Sequence, residues 1–241
     1  MENYISKLSG KKYMARLANN PTVIIPTGAC EIYGPHLPIG SDLLVAKKIS
    51  EKVAERTGAL IAPTLEVGES SNLTSFPCTF ALPRSLLEGY IEYLVSALVE
   101  DGAKNLVFIT GHAGNVETIS YVIKKHLKDG IKACQIDWWR FTQSAHSAGF
   151  CDRKGPMAHG HASECGTSVI MYLYPELVDR DEIACVESKP GAYPDIIKYG
   201  SFADRSPTGM IGDATVATPE KGKNIVEACV DRIVDYMQNT F

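Results

Sequence analysis

The chain has 241 residues, 45% of them hydrophobic and 22% charged, and a formal net charge of −4. That length accommodates one large α/β domain, residues 1–241, with a proper buried core, and the composition excludes a disordered or fibrous protein. No run of Lys or Arg marks a nucleic-acid partner, and no stretch nears the roughly 18 consecutive apolar residues of a membrane span. The N-terminus lacks the apolar core of a signal peptide, so the expected setting is the cytoplasm and the expected partner a small molecule. Seven cysteines, scattered without Cys-x-x-Cys spacing, read as small buried residues or loop thiols rather than a disulfide framework.

Apolar runs alternate with amphipathic stretches, which predicts a three-layer α/β/α sandwich around a mostly parallel sheet. Residues 23–26 read as a strand ending at Thr27-Gly28. A loop rich in Gly and Pro follows, and Ser41 or Asp42 caps a helix with Leu44, Val45, Ile49 and Val53 on its apolar face, stopping at Gly58. Residues 60–63 form the next expected strand. After the polar loop 70–80, residues 85–101 carry Leu87, Tyr90, Ile91, Leu94 and Leu98 at helical spacing. Residues 105–110 are a buried strand, followed by the turn 111–115 and a helix with Val116, Ile119, Ile123 and Leu127 inward. Residues 132–136 are a further strand, and Trp138 and Trp139 after it read as packing or as part of a substrate frame. Residues 142–159 are less regular, 161–174 helical, and the last helix starts at Thr218-Pro219 with Ile225, Cys229, Ile233 and Met237 inward. The segment 189–206, with Tyr193 and Tyr199, is a lid or an interface loop.

Two loops, 27–42 and 111–115, therefore lie beyond the carboxyl ends of buried strands, where open α/β sheets bind ligands. The first holds Glu31, His36 and Asp42 within twelve residues, stiffened by Gly and Pro, a donor set that suits zinc or manganese. The second holds His112 in Gly111-His112-Ala113-Gly114-Asn115, where small neighbours let a ligand approach closely. A third cluster, His159-Gly160-His161-Ala162-Ser163-Glu164, places Glu164 three residues after His161, on one face if both are helical. Packing alone does not account for three such clusters in a chain with six His.

Together these motifs resemble the creatininase family of metal-dependent amidohydrolases over nearly the whole chain. The family pattern Gly-x-x-Glu-x-His-Gly-Pro-His-Leu-Pro is matched by Gly28, Glu31, Gly34, Pro35, His36, Leu37 and Pro38, with Asp42 eleven residues after the Glu. The Gly-His-Gly-Gly-Asn turn is matched at 111–115 with Ala113 for a Gly, and His-Ala-Gly-Glu at 161–164 with Ser163 for Gly. Phe-Pro-Gly-Thr stands as Phe76-Pro77-Cys78-Thr79, and Gly212-Asp213 and Glu220-x-Gly222 also fit. The resemblance implies an α/β fold, a homo-oligomer, often a hexamer, and commonly two divalent metals. Carried over, Glu31 and His112 ligate one metal, Asp42 bridges to the other, Glu164 serves the second, and His161 is a general acid/base beside the substrate.

Three departures follow from the same comparison. The family His two residues after the Glu, a ligand of the second metal in creatininase, is Tyr33. A Glu of many members is Gly166, and a further Glu of creatininase is Gly114, which disfavours creatinine as substrate. One metal is thus expected, and a second is open, with His36 as a replacement ligand. The reaction expected is attack of metal-activated water on a small cyclic substrate at a C–N bond, with His161 moving the proton. The competing readings are a keto-inositol (3-dehydro-scyllo-inosose-type) ring hydrolase acting on a C–C bond, and a metal-free relative that binds a metabolite without turning it over.

Overall fold

In the computed structural model, which describes residues 2–144, 149–187, 196 and 199–241, the alternation of apolar side chains along the strands sets the layers. In chain order the elements are α1 (Gly10–Asn19), β1 (Thr22–Thr27), α2 (Ser41–Thr57), β2 (Leu60–Ile61), α3 (Arg84–Glu100), β3 (Asn105–Thr110), α4 (Val116–His126) and β4 (Lys132–Asp137). There follow α5 (Trp138–Thr142), α6 (Pro156–His159), α7 (Glu164–Leu173), β5 (Cys185–Val186), β6 (Gly212–Asp213) and α8 (Pro219–Thr240). Strands β2-β1-β3-β4 form a parallel sheet in that spatial order, and β5 and β6 make a separate antiparallel pair.

Val23, Ile25, Leu106 and Phe108 point to one side of the sheet, against Leu17 of α1, Leu87 and Ile91 of α3, and Ile119 and Val122 of α4. Ile24, Val107 and Ile109 point to the other, against Val45 and Ile49 of α2, Val169 of α7 and Ile225 and Val230 of α8. This period-two partition, with helices covering both faces, is the expected three-layer α/β sandwich. Among the described residues no helix is long and apolar enough to cross a membrane.

Several boundaries agree with local chemistry. Gly58 ends α2 in the left-handed region, at φ 72°, which glycine adopts without steric cost. Thr218 caps α8 by accepting the Lys221 N–H, with Pro219 as the first helical residue. Other expectations are corrected. Gly40, not Ser41 or Asp42, is the cap position of α2. The strand expected over 60–63 pairs only at Leu60–Ile61, and Pro63 has no N–H to extend it. Leu127 is 52% exposed because the helix tightens into a 3-10 turn there, while Val122 and His126 take the inward positions. The helix expected from residue 161 begins at Glu164, because Ala162 sits at φ 55° and Ser163 is extended. Tyr193 and most of the segment 189–198 lie outside the described residues, and Tyr199 is exposed.

Chain path and sheet order together locate the site. The chain runs from β1 outward to β2, returns through α3 to β3 on the other side of β1, and continues outward to β4. The strand order therefore reverses between β1 and β3, and the register aligns Thr27 with Thr110 at their carboxyl ends. A crevice opens at such a switch point.

Candidate metal centre

The loops leaving β1 and β3 meet the first turn of α2 at this crevice. Gly28 and Gly111 permit the approach, since a Cβ on Gly111 would overlap the Asp42 carbonyl and one on Gly28 would press into the Leu43 backbone. Asn115 ties the loops together by donating to the Gly28 carbonyl (2.8 Å) and accepting the Glu69 N–H (3.0 Å). The Ile32 N–H is held by Thr79 Oγ1 at 3.1 Å. The preceding residue, Cys78, lies at φ 65°, which gives the Gly of the Phe-Pro-Gly-Thr pattern its conformational reason.

This frame brings Glu31, Asp42 and His112 together, with one donor atom of each within 4.8 Å of the others. His112 Nδ1 lies 2.9 Å from Asp42 Oδ2 and 3.3 Å from Glu31 Oε1. Its Nε2 donates to the Glu69 carbonyl at 2.6 Å. A carbonyl only accepts, so Nε2 carries a proton, and Nδ1 meets the carboxylates with either a second proton or a lone pair. The lone-pair form suits a metal, with the Glu69 carbonyl orienting the ring from behind. Glu31 is 1% exposed, and neither of its carboxylate oxygens accepts a well-formed hydrogen bond. A buried carboxylate left so is costly, and a divalent cation between two carboxylates and an imidazole removes that cost. The residues therefore fit a borderline-hard ion of the zinc or manganese kind.

The electrostatics of the protein groups shows the same shortage of positive charge. Burial pushes the Asp42 carboxyl up, only partly opposed by its hydrogen bond to His112. Burial also opposes charge on His112, but the hydrogen bond to Asp42 and the Glu31 carboxylate close beside the ring outweigh it and hold the ring well above the usual imidazole value. Glu31 would likewise be raised by burial, and His112 reverses the sign.

His161 borders the group. Its Nε2 donates to the Ile32 carbonyl at 2.8 Å and lies 3.9 Å from Glu31 Oε1. Its ring packs on Tyr33, with centroids 4.4 Å apart. A cavity of about 290 Å³ in front of the centre is lined by these residues together with Ser70, Trp138, Phe202 and Arg205. His159, His161, Phe202 and Arg205 also border a larger adjoining cavity of about 850 Å³.

Two of the expected site residues are not brought to this group. His36 is buried against α7, where its Nε2 meets Thr167 Oγ1 at 2.8 Å, and the Thr167 hydroxyl faces the Ala162 carbonyl in turn. Glu164 is fully buried on the far side of the 161–163 turn, where its carboxylate accepts the N–H groups of Asp152 (2.7 Å) and Arg153 (2.8 Å) and pairs with Lys221 at 2.7 Å. Because His161 precedes the helix, the two residues do not share a helical face.

The structure also joins two departures that the sequence shows separately. A Cβ on Gly166 would stand 3.0 Å from the Tyr33 hydroxyl, so Tyr33 fills the space that a larger residue at 166 would need. Gly166→Glu is expected to destabilise the fold by roughly 1 to 3 kcal/mol through overpacking, read as a lower urea midpoint. The loss should shrink when Tyr33 is replaced by the smaller His.

His36 gives a pH prediction. Burial holds its imidazole down to about 4, whereas an unfolded His titrates near 6.5. Between those values the unfolded chain binds the extra proton, so stability falls as pH drops through the window. The contribution lost is roughly 3 kcal/mol by pH 4. His36→Gln should flatten this component when urea midpoints at neutral and mildly acidic pH are compared. An unchanged pH dependence would contradict it.

The creatininase family, described as creatinine amidohydrolase, matches residues 6–237. The creatinine amidohydrolase of Pseudomonas putida is 32% identical over 99% of this chain and 97% of its own length. The chain belongs to the creatininase family. Its activity class is accordingly that of a metal-dependent hydrolase. A mycofactocin precursor peptide peptidase of Mycolicibacterium smegmatis is 31% identical over 88% of this chain and 84% of its own. A 3-dehydro-scyllo-inosose hydrolase of Thermotoga maritima is 28% identical over 95% and 80%. A solved structure of manganese creatininase superposes with a TM-score of 0.88 at 28% identity, over 100% of this chain and 99% of that one.

Within this creatininase-family chain, sequence reasoning missed the Glu69 carbonyl, Asn115 and Arg205. A backbone carbonyl leaves no residue-type signal. Asn115 was visible as the end of the 111–115 turn, but its partners are 46 and 87 positions away.

Proposed function

We propose that this protein hydrolyses a C–N bond in a small cyclic, amide-like substrate, with one divalent ion held by Glu31, Asp42 and His112. The Glu31 carboxylate carries the reading, because it is buried without a hydrogen-bond partner and faces His112 Nδ1. When bound, such an ion acidifies water toward neutrality and polarises a carbonyl. Glu31 and Asp42 supply fixed negative charge, and the Glu69 carbonyl holds the His112 ring in orientation. His161, at the cavity wall beside Glu31, moves a proton to the leaving nitrogen. Trp138 and Phe202 wall off bulk water, while Ser70 and Arg205 offer polar contacts to a substrate.

A second reading, hydrolysis of a C–C bond in a keto-inositol, draws support from Ser70, Asn72 and Arg205 in the same wall, which suit a polyol, and from the similarity to the inosose hydrolase. The deciding experiment supplies zinc or manganese and screens cyclic amides, short peptides and keto-inositols for turnover. Turnover of a cyclic amide supports the first reading, and turnover of a keto-inositol alone replaces it with the second. Failure to retain either metal, together with metabolite binding and no turnover, overturns both in favour of a binding relative.

A further inference from the structure

A second set of three metal-binding side chains converges among the described residues, away from the Glu31 group. Cys151, His159 and Cys165 each place one donor atom within 4.8 Å of the other two. They come from the stretch before α6, the end of α6 and the second position of α7. The Thr142 hydroxyl at the end of α5 joins them, 3.0 Å from His159 Nδ1 and 3.5 Å from Cys165 Sγ. Cys165 is buried, whereas Cys151 and His159 are half-buried and line the larger cavity.

Isolated buried thiols usually act as small apolar groups. These two do not sit among aliphatic side chains alone. They share a pocket with an imidazole and a hydroxyl, and their backbone is held in place independently. Glu164 fastens the two N–H groups that follow Cys151 and leads directly into Cys165.

Two thiolates and one imidazole form the Cys₂His donor set of a four-coordinate zinc with one open position. Bond lengths of about 2.3 Å to sulfur and about 2.0 Å to nitrogen require donors roughly 3.5 to 3.8 Å apart. Donors that all lie within 4.8 Å of one another reach that by closing at most roughly 1 Å. Soft thiolate donors also distinguish this set from the carboxylate-rich Glu31 group, which suits manganese as well.

We propose that Cys151, His159 and Cys165 form a separate site for a soft divalent cation of the zinc class, with its open position toward the larger cavity. An ion there joins the 151–153 segment to α6 and the start of α7. It thereby fixes Gly160 and His161, which lie between two of the ligands and border the Glu31 centre. The site does not depend on what the Glu31 centre hydrolyses.

Cobalt(II) titration of the full-length, reduced protein tests it. Only a thiolate ligand gives a strong sulfur-to-cobalt charge-transfer band in the near ultraviolet, so the readout is silent to the Glu31 group. Cobalt added to saturation is expected to give that band in the wild type and in His112→Ala alike, the variant taking up one equivalent fewer in total. Cys151→Ser, at a half-buried position, should lose the band and weaken zinc binding by about a hundredfold or more. His159→Gln, which leaves both thiols intact, should shift the band and weaken binding as well. Absence of the band in reduced wild-type protein overturns the proposal, as does its persistence in Cys151→Ser. A disulfide joining Cys151 and Cys165 in freshly purified protein also overturns it, by making the pair a redox couple.

Discussion

His112→Ala is expected to remove bound metal and hydrolytic activity together. The variant deletes the one neutral donor of the Glu31 group and leaves two buried carboxylates facing each other, one of which must take up a proton. Manganese titration should show loss of the corresponding equivalent, and turnover should fall about a thousandfold or more. The mechanism depends on the coincidence of the two losses. Full turnover by a metal-stripped His112→Ala protein would rule out the Glu31, Asp42 and His112 centre as the origin of activity.

Glu164→Ala separates stability from metal binding in the opposite way. Glu164 is fully buried and makes two hydrogen bonds to backbone N–H groups and an ion pair with Lys221. Its removal strands those N–H groups and part of the Lys221 charge, a loss of roughly 3 to 5 kcal/mol. The urea midpoint should drop accordingly, while manganese still binds at the Glu31 group, because no Glu164 atom takes part in that cluster. The reverse result, near-normal stability with lost manganese, would restore Glu164 as a ligand and contradict the geometry described here. The contrast between the two variants is the sharpest check on which acidic residues serve chemistry and which serve the fold.

Much of the fold was legible along the chain. The apolar runs at 23–26 and 105–110 and the amphipathic helices between strands imply a parallel sheet with helices on both faces, because side-chain period reports which faces are buried. The Gly58 stop and the Thr218-Pro219 start were equally visible, since each depends on a residue type with a local conformational reason. The α6–α7 region was harder to read. There the chain leaves helical geometry at Ala162, and neither alanine nor serine announces a left-handed or extended backbone.

The candidate site divides along the same line. The sequence by itself determined the family resemblance and the presence of Glu31 and His112 in loops after strands, with Asp42 at the start of the helix that follows the first loop. Motif spacing records which residues the loops carry. Only the tertiary structure decided which of those side chains meet. It set the strand reversal that joins the β1 and β3 loops, turned His36 toward Thr167 and Glu164 toward the backbone of 152–153, and packed Tyr33 against Gly166. It also gathered Cys151, His159 and Cys165, whose positions show no metal-binding spacing. Convergence of side chains is a property of three-dimensional packing, where residues distant along the chain share one buried volume and each polar group takes the nearest partner that satisfies it.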